Sequence, residues 1–238
     1  MKPARRIEYE QQTLDHPNPI ARFAHRTRFA RSMETVAGWL ATRPGQQRLL
    51  DYGCGQGRFL HELNRRMSEA ERVRVSLMGY DPYMAAKYPA YRVVASAAEV
   101  PFSSVDILTC LEVCEHLDEK ETYTFFGFVH EKVANGGLLL VTVPIMMGPA
   151  LLPKEFVRAF LFRRWPDTSL LHIFLAALFG FVPPRATNIK GSHRGYDWRI
   201  TRDRLRDEFG NVEVDFSPFR WLGWYGNSQA FMKVRVGK

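Results

Sequence analysis

The chain has 238 residues, of which 46% are hydrophobic, and a formal net charge of +8. This length and composition fit one α/β domain with a full core and argue against a disordered chain outside the ends. The charge favours an anionic partner, such as nucleic acid, a membrane surface or a phosphorylated molecule, and fits an ordinary basic enzyme equally well.

The predicted elements alternate between strands and helices. The first is an amphipathic basic helix over Pro19–Leu40, the main part of a helical N-terminal cover over residues 1–45. Strands are predicted over Arg48–Tyr52, Val73–Tyr80, Tyr91–Ala95, Val105–Cys110 and Leu138–Val143, and helices over Phe59–Met67 and Asp118–Val133. Asn135-Gly136-Gly137 is predicted to stop the last of these helices. This order is typical of a doubly wound α/β domain with a mostly parallel sheet.

Two further strands, over Asn211–Phe216 and Gln229–Val236, are predicted as an antiparallel pair at one edge of the sheet. They complete seven strands in a single domain over residues 1–238. Residues 146–199 lie before them and are rich in apolar and aromatic side chains, so we expect a helical insert on the substrate side. The insert either contributes to the core, lines an apolar acceptor pocket, or associates peripherally with a membrane through residues 146–184.

The cysteines and the N-terminus point to a cytoplasmic protein. Cys54, Cys110 and Cys114 have no Cys-x-x-Cys spacing, so we expect neither a disulfide framework nor a cysteine zinc site. The basic N-terminus is followed by polar residues, and no secretory signal is expected. The longest apolar stretch, Ser169–Val182, is too short to span a bilayer, which takes ~20 apolar residues.

A glycine-rich turn follows the first predicted strand, in the run Asp51-Tyr52-Gly53-Cys54-Gly55-Gln56-Gly57. Glycine is needed where the backbone takes a positive φ or lies against a ligand, and a helix that begins just afterwards offers unpaired N–H groups. The spacing is one residue shorter than that of a pyrophosphate-binding turn, which disfavours a nicotinamide oxidoreductase. Asp81 ends the second predicted strand, where an acid can accept hydrogen bonds from a ribose diol.

Five segments occur in order between Leu49 and about Pro144: LLDYGCGQGRFL, GYDPY, ASAAEVPF, VDILTCLEVCEHL and GGLLLVTVPI. Together they resemble the class I S-adenosylmethionine-dependent methyltransferases, particularly the type 11/12 group. The resemblance implies a Rossmann-like fold, S-adenosylmethionine as methyl donor and S-adenosylhomocysteine as product.

The resemblance also implies the residues of the cofactor site. They are Asp51, Gly53, Cys54, Gly55 and Gly57 for the methionine part, Asp81 and Pro82 for the ribose, Ser96 and Ala97 beside the adenine, and Leu111 and Glu112 beneath the cofactor. The family commonly has Asp where Ser96 stands, and a hydroxyl accepts a hydrogen bond less strongly than a carboxylate.

Methyl transfer from a sulfonium needs a base only when the acceptor must lose a proton, because the methyl carbon is already activated. The candidate catalytic residues are Glu115, His116 and the distant His193, since histidine titrates near neutral pH. On a helix Glu112, Glu115 and His116 would share a face, and with His193 they would suit a divalent ion. A similar pattern occurs in metal-dependent relatives. We favour no metal, because Glu-His is common at this position in type 11 members without one.

Tyr9, His16 and Asn18 precede the first helix. In relatives the N-terminal segment folds over the donor and the acceptor, so these residues either close the site or belong to an ordinary tethered terminus.

The favoured function is methyl transfer to a hydroxyl or amine of a small-molecule acceptor, free or linked to a lipid or a glycan. One alternative is an RNA methyltransferase of the ribose 2′-O type, metal-assisted, suggested by the charge and the basic helix; no recognisable RNA-binding module accompanies it. Another is a non-catalytic cofactor-binding protein, which the intact set of Asp51, the glycines and Asp81 disfavours. The sequence does not predict the oligomeric state.

Overall fold

The computed structural model describes residues 19–88, 91–101, 104–160, 168–190 and 192–237. The strands are β1 Gln47–Tyr52, β2 Val75–Tyr80, β3 Arg92–Val94, β4 Val105–Leu111, β5 Val133–Pro144, β6 Val212–Ser217 and β7 Gln229–Arg235. The helices are α1 Pro19–Ala41, α2 Arg58–Arg66, α3 Glu69–Arg74, α4 Glu119–Lys132, α5 Leu151–Phe160, α6 Leu170–Phe179 and α7 Trp198–Phe209.

The strands form one sheet in the order β3-β2-β1-β4-β5-β7-β6. Strands β1 to β5 pair in parallel, and β7 runs antiparallel to both β5 and the edge strand β6. The predicted seven-stranded, mostly parallel sheet with its antiparallel pair is therefore confirmed. The strand order reverses between β1 and β4, and ligands of open α/β sheets bind beyond the carboxyl ends of the strands at such a point.

Consecutive residues of the central strands point into two separate cores, because side chains alternate between the faces of a sheet. In β1, Leu49 packs in the core beneath α1 and α2, whereas Leu50 packs in the core on the other face, with Phe125 of α4 and Leu205 of α7. Strands buried on both faces read as continuous apolar runs, as β5 does.

The second strand begins two residues later than predicted because a short helix precedes it. Ser68 accepts a hydrogen bond from the N–H of Glu71, and the Glu71 carboxylate accepts one from the N–H of Ser68 at 2.8 Å. This reciprocal capping box stabilises the first turn of α3. Val73 and Arg74 therefore belong to α3, and β2 starts at Val75.

The prediction that Asn135-Gly136-Gly137 stops α4 is wrong, because α4 already ends at Lys132 and all three residues lie in β5. Gly136 has a φ of +76° and donates its N–H to the carbonyl of Val236 at 2.7 Å. The register with β4 shifts in the same region. A left-handed glycine here accommodates an irregular strand instead of a helix end.

Helices α5 and α6 lie entirely within the described part of the insert and pack together through Leu151, Ile173 and Ala176. Helix α7 was not predicted; it begins at Trp198 inside the insert, and the Asp197 side chain caps it by accepting the N–H of Arg199 at 3.0 Å. In the ranges that the structure describes, no helix is both long and apolar enough to cross a membrane.

Candidate functional site

The turn after β1 places three glycines with a left-handed backbone at the carboxyl end of the sheet. Gly53, Gly55 and Gly57 have φ angles of +69°, +55° and +85°. The N–H groups of Gly53 and Cys54 both donate to the carbonyl of Tyr80, at 2.8 and 3.2 Å. The turn is therefore held against the end of β2, where Asp81 follows.

Replacement of Gly53 by alanine is expected to lower the free energy of unfolding by about 2–5 kcal/mol. A left-handed backbone costs an L-residue ~1–2 kcal/mol, and the new Cβ would lie 2.6 Å from Cγ2 of Val113. Overpacking of this kind costs ~1–3 kcal/mol. The expected loss is measured by urea unfolding.

Gly136→Ala is the matched control for the backbone contribution alone, since its φ is also positive and its Cβ would meet nothing within 4 Å. Gly45 has neither a positive φ nor an atom within 4 Å of an added Cβ, so Gly45→Ala should change the free energy of unfolding little. The steric contribution would be refuted if Gly53→Ala were no more costly than Gly136→Ala.

Asp51 lies near the end of β1 with only 3% of its surface exposed. Its carboxylate accepts a hydrogen bond from the Thr109 hydroxyl at 2.7 Å, because the two residues are register partners in β1 and β4. Burial raises the pKa of Asp51 to about 7, the Thr109 hydrogen bond opposes this, and the Asp81 charge adds to it. A cation bound next to Asp51 would therefore change its protonation near neutral pH.

Asp81 ties the glycine turn to the loop after β2. Its Oδ2 accepts the N–H of Gly55 at 2.8 Å, and its Oδ1 accepts the N–H groups of Tyr83 and Met84 at 2.8 and 3.0 Å. Pro82, between them, is exposed. A carboxylate has about four lone-pair positions, so Asp81 can still accept a further hydrogen bond from a ligand hydroxyl.

The predicted adenine side lies beside Asp81, whose N–H donates to the carbonyl of Val94 at 3.0 Å. Ser96 begins a single 3₁₀ turn, and its hydroxyl accepts the N–H of Ala98 at 3.3 Å. Ser96 is exposed and Ala97 half-buried. The Ser96 hydroxyl thus caps local backbone, and it remains within reach of a ligand from solvent.

Leu111 ends the fourth strand, and Glu112, which follows it, is held by an ion pair that the sequence did not reveal. Glu112 has a φ of +59°, and its carboxylate lies 3.0 Å from Nη1 of the buried Arg28 in α1. The Thr142 hydroxyl donates to the same carboxylate at 3.3 Å. The only sequence signal is an arginine beside the apolar face of α1, which is too weak to identify the partner.

Glu115, His116 and His193 meet just beyond Glu112. Glu115 is 1% exposed, and neither of its carboxylate oxygens has a hydrogen-bond partner among the described residues. The Nε2 atoms of His116 and His193 lie 3.2 Å apart, each 3.9 Å from Oε1 of Glu115. Nδ1 of His116 lies 3.0 Å from the carbonyl of Ile189, so this nitrogen carries the proton and Nε2 faces His193 with its lone pair.

The electrostatics of this cluster depend on the buried acid. Burial raises the pKa of Glu115 well above its ordinary value, and the Glu112 charge adds to the rise. Positive charge on a neighbouring imidazole would favour the ionised form of Glu115.

Three of the four predicted metal ligands converge: one ligand atom from each of Glu115, His116 and His193 lies within 4.8 Å of the others. Glu112 does not belong to this group, because its carboxylate is paired with Arg28.

Arg185 is a further residue that the sequence analysis missed. Its guanidinium donates to the backbone carbonyl of Glu115 and to those of Ser192 and Arg194, the latter two at 3.1 Å. It thereby fixes the loop that carries His193 against the turn that carries Glu115. A cavity of about 210 Å³ opens beside Glu115, lined by Arg185 and Tyr196 among others. The predicted N-terminal residues Tyr9, His16 and Asn18 lie outside the described residues.

Residues 21–174 match a family model described as a methyltransferase domain. No curated protein matches the chain. Three similar solved structures have the same fold. One is a SAM-dependent methyltransferase from Archaeoglobus fulgidus, with 12% identity and a TM-score of 0.50 over 92% of this chain and 100% of that chain. Another is the small RNA methyltransferase HEN1, with 18% identity and a TM-score of 0.55 over 90% of this chain and 25% of that chain. The third is the plantazolicin methyltransferase BpumL in complex with a triazolic desmethylPZN analog and SAH, with 12% identity and a TM-score of 0.55 over 94% of this chain and 88% of that chain.

The family match covers more than half of the chain and includes β1 to β5, the glycine turn, Asp81 and the Glu115–His116 turn. The chain therefore belongs to this methyltransferase-domain family and is a class I S-adenosylmethionine-dependent methyltransferase of the type 11/12 group.

Proposed function

We propose that this enzyme methylates a hydroxyl or amine of a small-molecule acceptor, free or linked to a lipid or a glycan. The observation that carries the proposal is the imidazole pair His116–His193, which lies against buried Glu115. Val113, two residues before Glu115, lies so close to Gly53 that a Cβ there would clash with it. The proton-accepting groups thus adjoin the turn that we assign to the donor.

In the proposed complex, the glycine turn and Asp51 hold the methionine part of the cofactor and Asp81 accepts hydrogen bonds from the ribose hydroxyls. Ser96 and Ala97 flank the adenine, and Leu111 and Glu112 lie beneath the cofactor. These assignments are supported by the positions of the residues at or just after the carboxyl ends of β1 to β4, on the side of the sheet where the strand order reverses between β1 and β4. The left-handed turn also leaves backbone N–H groups at the start of α2 for the ligand.

Cofactor binding is expected to weaken below about pH 7. Asp51 has a pKa of about 7 in the free protein, and the ammonium of the cofactor's methionine part favours the carboxylate. Below that pH binding must expel a proton, so the affinity falls by up to about tenfold per pH unit; above it the affinity levels off.

Calorimetric titration between about pH 5.5 and 7.0 keeps the cofactor's own α-amino group mostly protonated, since such groups have a pKa of ~7.7–8.0. Asp51→Asn should bind more weakly and lose this pH dependence. An affinity of the native protein that is constant over the range would contradict the role of Asp51.

In the reaction the acceptor oxygen or nitrogen attacks the methyl carbon in line with the departing sulfur. The carbon–sulfur bond breaks, neutral S-adenosylhomocysteine leaves, and the acceptor's proton passes to an imidazole of the pair. We assign proton acceptance to His193, which is the more exposed of the two imidazoles. His116 accepts a hydrogen bond from His193, and the positive charge that forms on His193 favours the ionised form of Glu115, whose Oε1 lies 3.9 Å away.

The same three side chains suit a divalent ion in ligand type, with one carboxylate and two imidazoles, and such an ion would lower the pKa of an acceptor hydroxyl. We propose proton acceptance without a metal. Metal analysis and activity after chelation decide between the two: the stripped enzyme should keep full activity, and activity lost on chelation and restored by a divalent ion would overturn this role.

Part of the basic character of α1 is structural, which disfavours an RNA acceptor. Arg28 and Arg31 are buried and paired with Glu112 and Asp215. They are therefore not available to contact phosphates, which supply most of the affinity of nucleic-acid binding.

The proposed acceptor class is tested by incubating the enzyme with methyl-labelled donor and fractionated cell extract. We expect label in a small-molecule or lipid fraction that is insensitive to ribonuclease and matched by S-adenosylhomocysteine release. Label confined to ribonuclease-sensitive material would refute the proposed acceptor class, although it would still show methyltransferase activity.

A further inference from the structure

We infer that this enzyme seats on an anionic lipid bilayer through an interfacial surface made of the outer face of α6, the Phe156–Phe160 stripe of α5 and the loop around Trp221. The inference goes beyond the proposed function, since it concerns where the enzyme binds and not which group it methylates.

Apart from His172, every residue of helix α6 is apolar, although the protein covers only one side of the helix. Ile173, Ala176 and Ala177 face inward and are buried. Leu171, Phe174 and Leu178 lie on the opposite face and are 64%, 52% and 40% exposed. A helix that is hydrophobic all round normally lies in a core or in a bilayer. At ten residues α6 is ~15 Å long and too short to cross the hydrocarbon, so it suits the plane of the interface.

Helix α5 extends this surface. Phe156 and Phe160 are one turn apart, have ring centroids 4.5 Å apart, and are 61% and 65% exposed. Leu151, at the start of the same helix, packs with Ile173 in the contact between α5 and α6. The two helices thus present large exposed apolar side chains from one packed pair, a feature that marks interaction surfaces on proteins.

The loop after β6 continues the surface with aromatic residues. Trp224 packs on the end of α6, where a Cβ on Gly180 would lie 2.9 Å from its ring. Trp221 in the same loop is 82% exposed. Tryptophan is enriched at the headgroup level of membranes because its ring is apolar and its N–H is polar.

Basic side chains flank the aromatic loop and favour an anionic bilayer over a second copy of the chain. The ring of Phe219 lies 6.5 Å from that of Phe23 in α1, next to Arg22 and the exposed Arg26. Arg220 in the same loop is 72% exposed while it pairs with Asp215 at 2.8 Å, so unlike the buried Arg31 it still faces solvent. Each basic side chain near an anionic leaflet strengthens binding by about fivefold. Pairing two copies through this surface would instead bring like charges together, with a net charge of +8 on each chain.

The test is cosedimentation of the full-length enzyme, saturated with S-adenosylhomocysteine, with phosphatidylcholine vesicles that contain or lack phosphatidylglycerol. We expect binding to the anionic vesicles, weakened by salt. The Phe174→Ser/Phe179→Ser variant should partition about 100-fold more weakly, since each phenylalanine contributes at least about tenfold. Both side chains are exposed, so cofactor affinity should be unchanged.

Val73→Ser/Tyr123→Ser is the matched control, because these apolar side chains are similarly exposed but lie on α3 and α4. The inference is overturned if the native enzyme stays in the supernatant, or if the two variants sediment alike. It is also overturned if sedimentation equilibrium shows that the native enzyme and the control variant are dimers and that the Phe174→Ser/Phe179→Ser variant is a monomer. None of these readouts requires methyl transfer, so a failure here and a failure of the proposed acceptor class are separate results.

Discussion

His193→Ala is expected to lower kcat for a hydroxyl acceptor by about 10²- to 10⁴-fold, the range over which a positioned general base accelerates proton transfer. His193 is the more exposed member of the imidazole pair, and its Nε2 lies 3.2 Å from Nε2 of His116 and 3.9 Å from Oε1 of Glu115. Removal of its ring leaves the donor site intact, so the affinity for S-adenosylhomocysteine should not change. The acidic limb of the pH–rate profile, which reports protonation of the base, should be lost.

His130→Ala is the matched control. His130 is about as exposed as His193 and also contacts a carboxylate, Glu208, at 2.7 Å, but it lies in α4 outside the cluster. Its replacement should leave kcat within about twofold of the native enzyme, the scale of a surface substitution. An equal effect of the two replacements, or a loss in His193→Ala that appears only as weaker cofactor binding, would remove the assigned role of His193.

Asp81→Ala is expected to weaken binding of S-adenosylmethionine by at least about 100-fold. Two charge-assisted hydrogen bonds to a ribose diol contribute ~1.5–3 kcal/mol each. The same carboxylate holds the N–H of Gly55 at 2.8 Å and those of Tyr83 and Met84, so its removal also loosens the turn. Calorimetric titration measures the loss directly.

Asp106→Ala separates this effect from a general loss of stability. Asp106 also accepts a backbone N–H, that of Arg48 at 2.7 Å, but at the opposite ends of β4 and β1. This variant should unfold more easily and bind the cofactor normally. Native affinity in Asp81→Ala would refute the ribose assignment.

The strands and the glycine turn were predictable because their signals are local. Strands β1, β2, β4 and β5 each contain a short apolar run that is followed by a charged, glycine or proline residue. The glycines of the turn take the positive φ angles that their lack of a Cβ allows. Helix α3 was not predicted because its six residues are too few to show the hydrophobic periodicity of a helix. Its only sequence signal is the Ser68–Glu71 capping pair. Gly136 misled because a left-handed glycine serves a helix end and an irregular strand equally well.

The site was predictable as a set of residues and not as a set of contacts. Motif spacing identified Asp51, Asp81, Glu115 and His116 as candidates, and His193 was added on chemical grounds. That His193 meets His116, 77 positions earlier in the chain, depends on the fold between them and on the Arg185 hydrogen bonds. The Arg28–Glu112 pair joins residues on separate elements and leaves no periodic trace, so the sequence did not show that Glu112 would be paired outside the cluster of Glu115, His116 and His193.

The central claim is that the crevice at β1 and β4 binds S-adenosylmethionine as a methyl donor. Calorimetric titration of the native enzyme with S-adenosylhomocysteine, and in parallel with NAD⁺ and NADH, tests it most directly. The account predicts one S-adenosylhomocysteine site per chain, lost in Asp81→Ala and kept in Asp106→Ala, and no heat from the nicotinamide cofactors. Binding of a nicotinamide cofactor at this crevice, or no binding of S-adenosylhomocysteine by folded protein, would contradict it.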